Sequence, residues 1–190
     1  MDKEKGLVLI NTGPGKGKTS ASLGVALRAL GQGFNVAFLQ FIKSQPTGES
    51  HFLEAYAKTH PAPLPGTEGG SDDGLGRLFY KRMGLGFVFD SPGVEDLAKA
   101  SEALKEAQGL LDGRFQLVVL DEICVAAAKG LIKTGEVLEL ITEREPSVNL
   151  ILTGRNCPEE IIAVADTATE MTIIKHAYQS GIKARRGIEF

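Results

Sequence analysis

Short apolar runs recur along the chain at intervals that suit alternating strands and helices. The runs cover residues 7–10, 35–42, 116–120, 148–154 and 170–175. Continuous apolar runs of this length are typical of strands that are buried on both faces of a sheet, and segments of helix-forming composition separate several of them. The pattern therefore predicts a single α/β domain over residues 1–190, with a mainly parallel sheet and helices on both faces.

Two of the intervening segments have clear helical signals. Over residues 94–112 apolar side chains recur with the helical period while charged side chains occupy the other positions, and the apolar stripe consists of Leu97, Ala100, Leu104, Ala107 and Leu111. This stripe is typical of core packing rather than of a cofactor site. A second helix is expected to begin at Pro158, because proline suits the first turn and Glu159 and Glu160 favour its positive end.

Residues 58–77 differ from the rest of the chain in composition. They are rich in Pro, Gly and Asp and have no periodicity. A loop of this length within a compact domain is either functional or without fixed structure. We expect a flexible loop here, and the sequence leaves open whether it forms a flap over a site or a featureless insertion.

The segment NTGPGKGKTS, residues 11–20, lies between an apolar run and a helix-forming stretch. A glycine loop in this position presents backbone N–H groups and the positive end of a helix to an anion such as phosphate. The dinucleotide pattern G-x-G-x-x-G fails because Lys18 stands where its last glycine is needed. The P-loop pattern G-x-x-x-x-G-K-[ST] is matched at its distal end by residues 17–19, although its first glycine arrives one place late, at Gly13. The alternative is a glycine-rich turn that only caps the helix.

A second part of a phosphate site is indicated by QLVVLDEICVA, residues 116–126. A hydrophobic strand delivers Asp121 and Glu122 at its carboxyl end, where ligands bind in open α/β sheets. These carboxylates and the hydroxyl of Thr19 are suitable ligands for Mg²⁺. An acidic pair that caps a helix or faces solvent is the alternative, and the P-loop in the same chain disfavours it. The sequence thus predicts a magnesium–nucleotide site with Thr19, Asp121 and Glu122 at the metal.

Composition and charge limit the other function classes. The chain has 43% hydrophobic residues, and 21 Lys and Arg stand against 24 Asp and Glu, for a formal net charge of −3. This charge creates no overall field that would attract nucleic acid. The absence of an apolar leader or a membrane-length apolar run favours a cytoplasmic protein with no membrane contact. Cys124 and Cys157 are too few for a disulfide framework, so we expect both to be reduced.

Several segments together resemble the P-loop type of ATP:corrinoid adenosyltransferase found in enteric bacteria. The shortened loop GPGKGKTS matches the family's G-N-G-K-G-K-T-T spacing, with Pro14 for Asn and Ser20 for the second Thr. Further similar blocks are RALGQG (28–33), QFIKS (40–44), TGE (47–49), LDE (120–122), LTGRNCPEEIIAVAD (152–166) and KHAYQSGIKARRGIEF (175–190). The likeness covers most of the chain outside residues 50–86.

The resemblance implies a RecA-like P-loop architecture and a defined reaction. A cob(I) corrinoid, either cobalamin or a precursor, attacks C5′ of ATP and releases triphosphate, with Mg²⁺ present. It also implies a flavoprotein electron donor and a homodimer. Because the nucleophile belongs to the corrinoid, the protein only has to position C5′ and stabilise the departing triphosphate. The residues expected to act there are Lys16, Lys18 and Glu122. A P-loop kinase or ATPase acting on the γ-phosphate, and a non-catalytic nucleotide-binding module, remain as alternatives.

The expected ATP contacts extend beyond the loop. Arg28 and Arg155 can contact phosphate or ribose or form exposed salt bridges, and Glu49 can bind ribose or Mg²⁺ or be a simple loop carboxylate. His176 is included as a nucleotide contact, although a lone histidine is more often a hydrogen-bonded structural residue. The full ATP-binding set is Gly13, Pro14, Gly15, Lys16, Gly17, Lys18, Thr19, Ser20, Arg28, Glu49, Arg155 and His176.

An aromatic pair is the candidate for the corrinoid. The family has F-x-W at a position after a glycine, where it displaces the lower axial ligand of cobalt, and this chain has Phe87 and Phe89 in GLGFVFDS. The resemblance therefore implies that these two rings bind the corrinoid. Taken without the resemblance, F-x-F is ordinary strand alternation that belongs to a core.

Overall fold

In the computed structural model the described residues are 4–42, 45–63, 73–84 and 92–189. They contain a six-stranded sheet with the order β3-β2-β4-β5-β1-β6. Every neighbouring pair in this sheet is parallel. The strands are β1 Val8–Thr12, β2 Val36–Gln40, β3 Leu78–Arg82, β4 Leu117–Asp121, β5 Asn149–Thr153 and β6 Thr167–Glu170. The α/β architecture expected from the sequence is confirmed.

Helices cover both faces of the sheet. They are α1 Lys18–Gly31, α2 Gly48–Thr59, α3 Val94–Leu110, α4 Ile123–Ala128, α5 Thr134–Glu143 and α6 Glu159–Ala163, followed by a 3₁₀ turn at Ala177–Ser180. Buried residues of α1 and α2 pack on the face that carries Phe38 and Val119. Buried residues of α3 to α6 pack on the opposite face, with Leu39 and Leu120. No helix in the described part of the chain is long and apolar enough to cross a membrane.

Burial of β2 and β4 explains why these two strands of the sheet could be predicted from the sequence. Every residue of β2 and of β4 is buried, because helices cover them from both sides. Parallel strands buried in this way appear as continuous apolar runs. The polar residues that interrupt these runs, Gln40 and Asp121, are the last residues of their strands and lie side by side in the sheet register.

The two edge strands depart from the sequence-based expectation. The last strand was expected at residues 170–175, but β6 is Thr167–Glu170, and all four of its residues are exposed. The pairing of β6 with β1 ends at Thr12, because β1 ends there and the glycine loop begins, so no further strand residues are available for pairing. The other edge strand, β3, was not predicted, since its polar side chains hide the apolar pattern.

The predicted helices are confirmed, with small differences at their ends. The helix expected over residues 94–112 is α3, which buries Ala100 and Ala107 of the predicted stripe but leaves Leu97 44% exposed. The helix expected to begin at Pro158 is α6, which Pro158 directly precedes. It spans five residues.

The segment predicted as a flexible loop, residues 58–77, is described only at its two ends. Residues 64–72 lie outside the described part of the chain, while α2 continues to Thr59. His60 stacks on Tyr56, and its Nε2 lies 2.8 Å from Asp73 Oδ2. Gly76 N donates to the carbonyl oxygen of Leu30, near the end of α1. These ends of the segment therefore lie beside the start of β3, at the amino end of the sheet.

Candidate nucleotide site

The glycine loop joins β1 to α1 at the carboxyl end of the sheet. It begins after Thr12 and ends where Lys18 starts the helix. Gly13 and Gly17 have φ values of 94° and 104°, which glycine adopts without strain. Strand, loop and helix therefore follow one another as predicted for a P-loop.

The C-terminal segment approaches this loop so closely that neither Gly13 nor Gly15 leaves room for a side chain. Gly15 N donates to the carbonyl oxygen of Met171 at 2.6 Å. A Cβ atom at Gly13 or at Gly15 would lie 2.6 Å from that same oxygen. Any larger residue at either position would displace the chain that follows β6.

Lys18 is the buried cation of the loop, and it is only 7% exposed. Its Nζ donates to the carbonyl oxygens of Gly13 at 2.7 Å and Gly15 at 2.6 Å. Burial lowers the pKa of Lys18 from its ordinary value, and the nearby guanidinium of Arg155 lowers it further, while Glu122 and Asp121 act in the opposite direction. The loop thus holds a buried cation whose burial the nearby carboxylates of Glu122 and Asp121 only partly offset.

Lys16 is the exposed cation of the loop, and the C-terminal tail contacts it. Its Nζ lies 3.3 Å from Glu189 Oε1. The pKa of Glu189 is lowered, first by a hydrogen bond from the backbone N–H of Arg185 and then by Lys16. A carboxylate of this chain therefore pairs with the exposed lysine that was predicted to contact phosphate.

Asp121 is the buried carboxylate of the site and has no exposed surface. Its Oδ1 accepts hydrogen bonds from Thr19 Oγ1 at 3.0 Å and from Thr153 Oγ1 at 2.7 Å. Its Oδ2 accepts from Gln40 Nε2 at 2.9 Å. The carboxylate is thus fixed against the hydroxyl of Thr19, which was predicted to share a metal ion with it.

Glu122 has an unusual backbone conformation beside this carboxylate. Its φ of 66° is left-handed, which is uncommon for a residue other than glycine and costs about 1–3 kcal/mol. Its backbone N–H donates to Thr153 Oγ1 at 2.9 Å, and helix α4 starts at the next residue. The side chain of Glu122 is partly exposed, whereas that of Asp121 is fully buried.

The oxygen groups of the site fit magnesium. Within the described ranges, no three His, Cys, Asp or Glu side chains form a metal cage. Mg²⁺ in nucleotide sites takes one or two carboxylates, a hydroxyl, phosphate oxygens and water. Asp121, Glu122 and Thr19 have the two carboxylates and the hydroxyl that such a set would take from the protein.

The remaining predicted ATP contacts lie on different elements of the chain. Arg155 follows β5 and lies close enough to Lys18 to lower its pKa. Glu49 lies in the first turn of α2, and its charge acts on the pKa of Tyr80. His176 caps the 3₁₀ turn, since its Nδ1 accepts from Tyr178 N at 3.1 Å. Ser20 and Pro14 are exposed in and beside the loop.

Arg28 does not join the loop within one chain. It lies in the last turn of α1, about 15 Å along the helix axis from Lys18 at 1.5 Å per residue. There it lines a groove with Leu117 and Asn149, which are the first residues of β4 and β5. It is therefore at the amino end of the sheet, opposite the loop. Phe87 and Phe89, the predicted corrinoid contacts, lie outside the described residues.

The structure adds residues that the sequence did not single out. Gln40 and Thr153 bind Asp121, and Met171 binds the loop. Gln40 and Thr153 are the final residues of their strands, so polar ends of apolar runs were the available signal. No local pattern marks Met171.

The two cysteines pack together beside the site. Cys124 is buried in α4, and Cys157 N donates to Thr12 Oγ1 at 3.2 Å. The thiol of Cys124 donates a hydrogen bond to the sulfur of Cys157, which lowers the pKa of Cys157 and raises that of Cys124. Both thiols are free.

Comparison with known proteins gives one consistent result. The family model for the ATP:corrinoid adenosyltransferases BtuR/CobO/CobP matches residues 4–190. A corrinoid adenosyltransferase of a Sinorhizobium species is 38% identical over 98% of this chain and 81% of the relative. Proteins of the same name from Pseudomonas aeruginosa and Escherichia coli K12 are 37% and 35% identical over 98% of this chain, and over 85% and 87% of their own lengths. With a loop, a buried strand-end carboxylate and a full-length match in agreement, this chain belongs to the ATP:corrinoid adenosyltransferase family.

Proposed function

We propose that this protein transfers the 5′-deoxyadenosyl group of ATP to the cobalt of a reduced cob(I) corrinoid and releases triphosphate. The cobalt supplies the electron pair of the new bond to C5′, the bond between C5′ and the phosphate oxygen breaks, and its electron pair leaves with triphosphate. The observation that carries the proposal is the family match over residues 4–190, which includes every part of the nucleotide site. The corrinoid provides the nucleophile, so the reaction needs no protein base.

The protein's contribution is to hold a leaving group whose negative charge increases in the transition state. Burial lowers the pKa of Lys18 most, and the guanidinium of Arg155 lowers it further because the two cations repel each other. A polyphosphate bound between them would remove this repulsion, and Lys16 adds a further positive charge at the loop surface. The backbone N–H groups of residues 16–19 and the start of α1 complete the proposed phosphate contacts, since Gly15 N already donates to Met171 O.

We also propose that Thr19, Asp121 and Glu122 hold Mg²⁺ with ATP. When bound, the ion would neutralise phosphate charge at the leaving group. Thr19 and Asp121 already lie in contact, and the hydrogen bonds from Thr153 and Gln40 support a fixed carboxylate. Glu49 and His176 remain proposed nucleotide contacts.

The remaining parts of the proposal concern the corrinoid and the partners. Phe87 and Phe89 are proposed to bind the corrinoid, and a flavoprotein is the proposed reductant. A homodimer is supported by apolar side chains in the C-terminal tail, where Ile174 is 97% exposed, Ile188 79% and Tyr178 77%. Light scattering should then give a mass of about twice 20.2 kDa.

Product analysis tests the reaction directly. The protein is incubated with ATP, Mg²⁺ and chemically reduced cob(I)alamin, and the nucleotide products are separated by ion-exchange chromatography. We expect triphosphate and a light-sensitive adenosylcorrinoid in equal amounts. ADP that forms without corrinoid would identify a kinase or ATPase instead, and unchanged ATP in the presence of cob(I)alamin would indicate a binding module.

A further inference from the structure

The buried carboxylate of the site belongs to a longer hydrogen-bonded row. Tyr80, Gln40, Asp121 and Thr153 lie at or near the carboxyl ends of four neighbouring strands, β3, β2, β4 and β5. Tyr80 Oη donates to Gln40 Oε1 at 2.7 Å, and Gln40 Nε2 donates to Asp121 Oδ2 at 2.9 Å. The row therefore reaches from an edge strand to the proposed metal ligand.

The chemistry of the row allows only one direction for its hydrogen bonds. A carboxylate only accepts, so the amide nitrogen of Gln40 must face Asp121 and its oxygen must face Tyr80. Tyr80 must then keep its proton and donate it. Burial, the largest influence, raises the pKa of Tyr80 to about 12, so the phenol is protonated at neutral pH.

Burial makes the row rigid. Gln40 is 1% exposed and Asp121 is fully buried, so neither side chain can exchange its partner for water without cost. The Tyr80 ring packs against Phe38, with ring centroids 6.4 Å apart. Tyr80 also interacts with Ser50 in α2, next to the candidate nucleotide contact Glu49.

We propose that Gln40 and Tyr80 are positioning residues for the magnesium–ATP site. Gln40 occupies Oδ2 of Asp121, which turns Oδ1 toward Thr19 and the metal, and Tyr80 fixes the amide of Gln40. The proposal rests on the proposed Mg²⁺ site. It names no direct contact of either residue with ATP or corrinoid.

The test is the Mg²⁺ dependence of ATP binding, which requires no catalysis. Tyr80→Phe deletes only the hydroxyl and keeps the ring packing, while Gln40→Met removes both hydrogen bonds at similar volume. Outer partners of metal ligands typically change metal affinity by about 10- to 100-fold. We expect the Mg²⁺ concentration for half-maximal ATP binding, measured by calorimetry, to rise about 10-fold or more in Gln40→Met and roughly 3- to 10-fold in Tyr80→Phe. Saturating Mg²⁺ should restore ATP binding in both.

Tyr56→Phe is the matched control. Tyr56 Oη donates to Gly76 O at 2.9 Å, so this variant also loses one tyrosine hydrogen bond, but at the amino end of the sheet. It should lower the melting temperature about as much as Tyr80→Phe and leave the Mg²⁺ midpoint unchanged. If Gln40→Met does not fold, Tyr80→Phe and its control decide the question alone.

Several results would overturn the proposal. It fails if Tyr80→Phe stays within about twofold of the wild-type Mg²⁺ midpoint, if both tyrosine variants shift it equally, or if wild-type ATP binding does not depend on Mg²⁺. A shifted midpoint in a protein that forms no adenosylcorrinoid would support the positioning role and refute only the proposed reaction. The binding and product assays thus separate the two claims.

Discussion

Replacing Lys18 with alanine should weaken ATP binding by about 30-fold. A charge-assisted hydrogen bond is worth about 1.5–3 kcal/mol, and about 2 kcal/mol corresponds to this factor. We take a value within the lower half of the range because Nζ already binds the carbonyl oxygens of Gly13 and Gly15, so a phosphate contact replaces part of existing bonding. ATP affinity is measured by calorimetry at saturating Mg²⁺.

The same substitution should have little effect on the ATP-free protein. Lys18→Ala loses two hydrogen bonds to loop carbonyls but also removes a desolvated charge that Arg155 repels. These effects oppose each other, so the melting temperature should change little. Lys99→Ala, which removes an exposed lysine of α3, is the charge-matched control and should bind ATP normally. ATP binding by Lys18→Ala within about twofold of the wild type would refute the role of this residue in the phosphate site.

Four further predictions test the charges and thiols around the loop. Asp121→Asn should raise the Mg²⁺ requirement for ATP binding and lower the melting temperature, because an amide has one acceptor oxygen where two carboxylate oxygens now accept from Gln40, Thr19 and Thr153. Unchanged metal dependence would contradict this. ATP affinity of the wild type should fall as the pH is raised above neutrality, and the fall should begin below pH 10.5, the ordinary lysine pKa, because the pKa of Lys18 is lowered. Lys18→Arg should flatten this pH profile, since arginine keeps its charge. The same profile in both proteins would exclude Lys18 as its cause. Glu189→Gln should raise ATP affinity at low ionic strength by freeing Lys16, and an effect that persists in high salt would argue against a charge origin. Iodoacetamide should label Cys157 before Cys124 in the native protein, as peptide mass spectrometry would show, and the reverse order would contradict their hydrogen bond.

The sequence predicts the centre of the fold better than its edges, for a physical reason. Strands β2 and β4 are buried on both faces, so burial selects apolar residues at every position before the last one of each strand. The edge strand β6 has the sequence TATE with all side chains exposed, so its existence depends on backbone pairing with β1. The last strand was predicted at residues 170–175 because residues 173 and 174 are apolar. That segment is not a strand beyond residue 170, and Ile174 is 97% exposed.

In the candidate site, too, local sequence patterns predict some residues, while contacts between residues far apart in sequence could not be predicted. The positions of Lys18 and Asp121 follow from local patterns. Lys18 is the first residue of the helix after the loop, and Asp121 is the last residue of an apolar strand. The hydrogen bond between Gln40 and Asp121 joins residues 81 positions apart and depends on the register of β2 with β4. Arg28 was predicted to contact phosphate or ribose from its position in the helix after the loop, and within one chain α1 carries it to the other end of the sheet.

The late first glycine of the loop has a structural explanation in β6. Thr12 is still a strand residue, paired with Glu170, and its carbonyl oxygen accepts from Met171 N at 2.8 Å. The hydroxyl of Thr12 accepts a hydrogen bond from Cys157 N, so the side chain at this position has a structural partner that glycine would lack. The requirement for glycine begins one residue later, at Gly13, where φ is 94° and a Cβ would meet the Met171 carbonyl. The neighbouring edge strand therefore sets where the loop can begin, and the shortened spacing is compatible with an intact phosphate-binding end at residues 17–19.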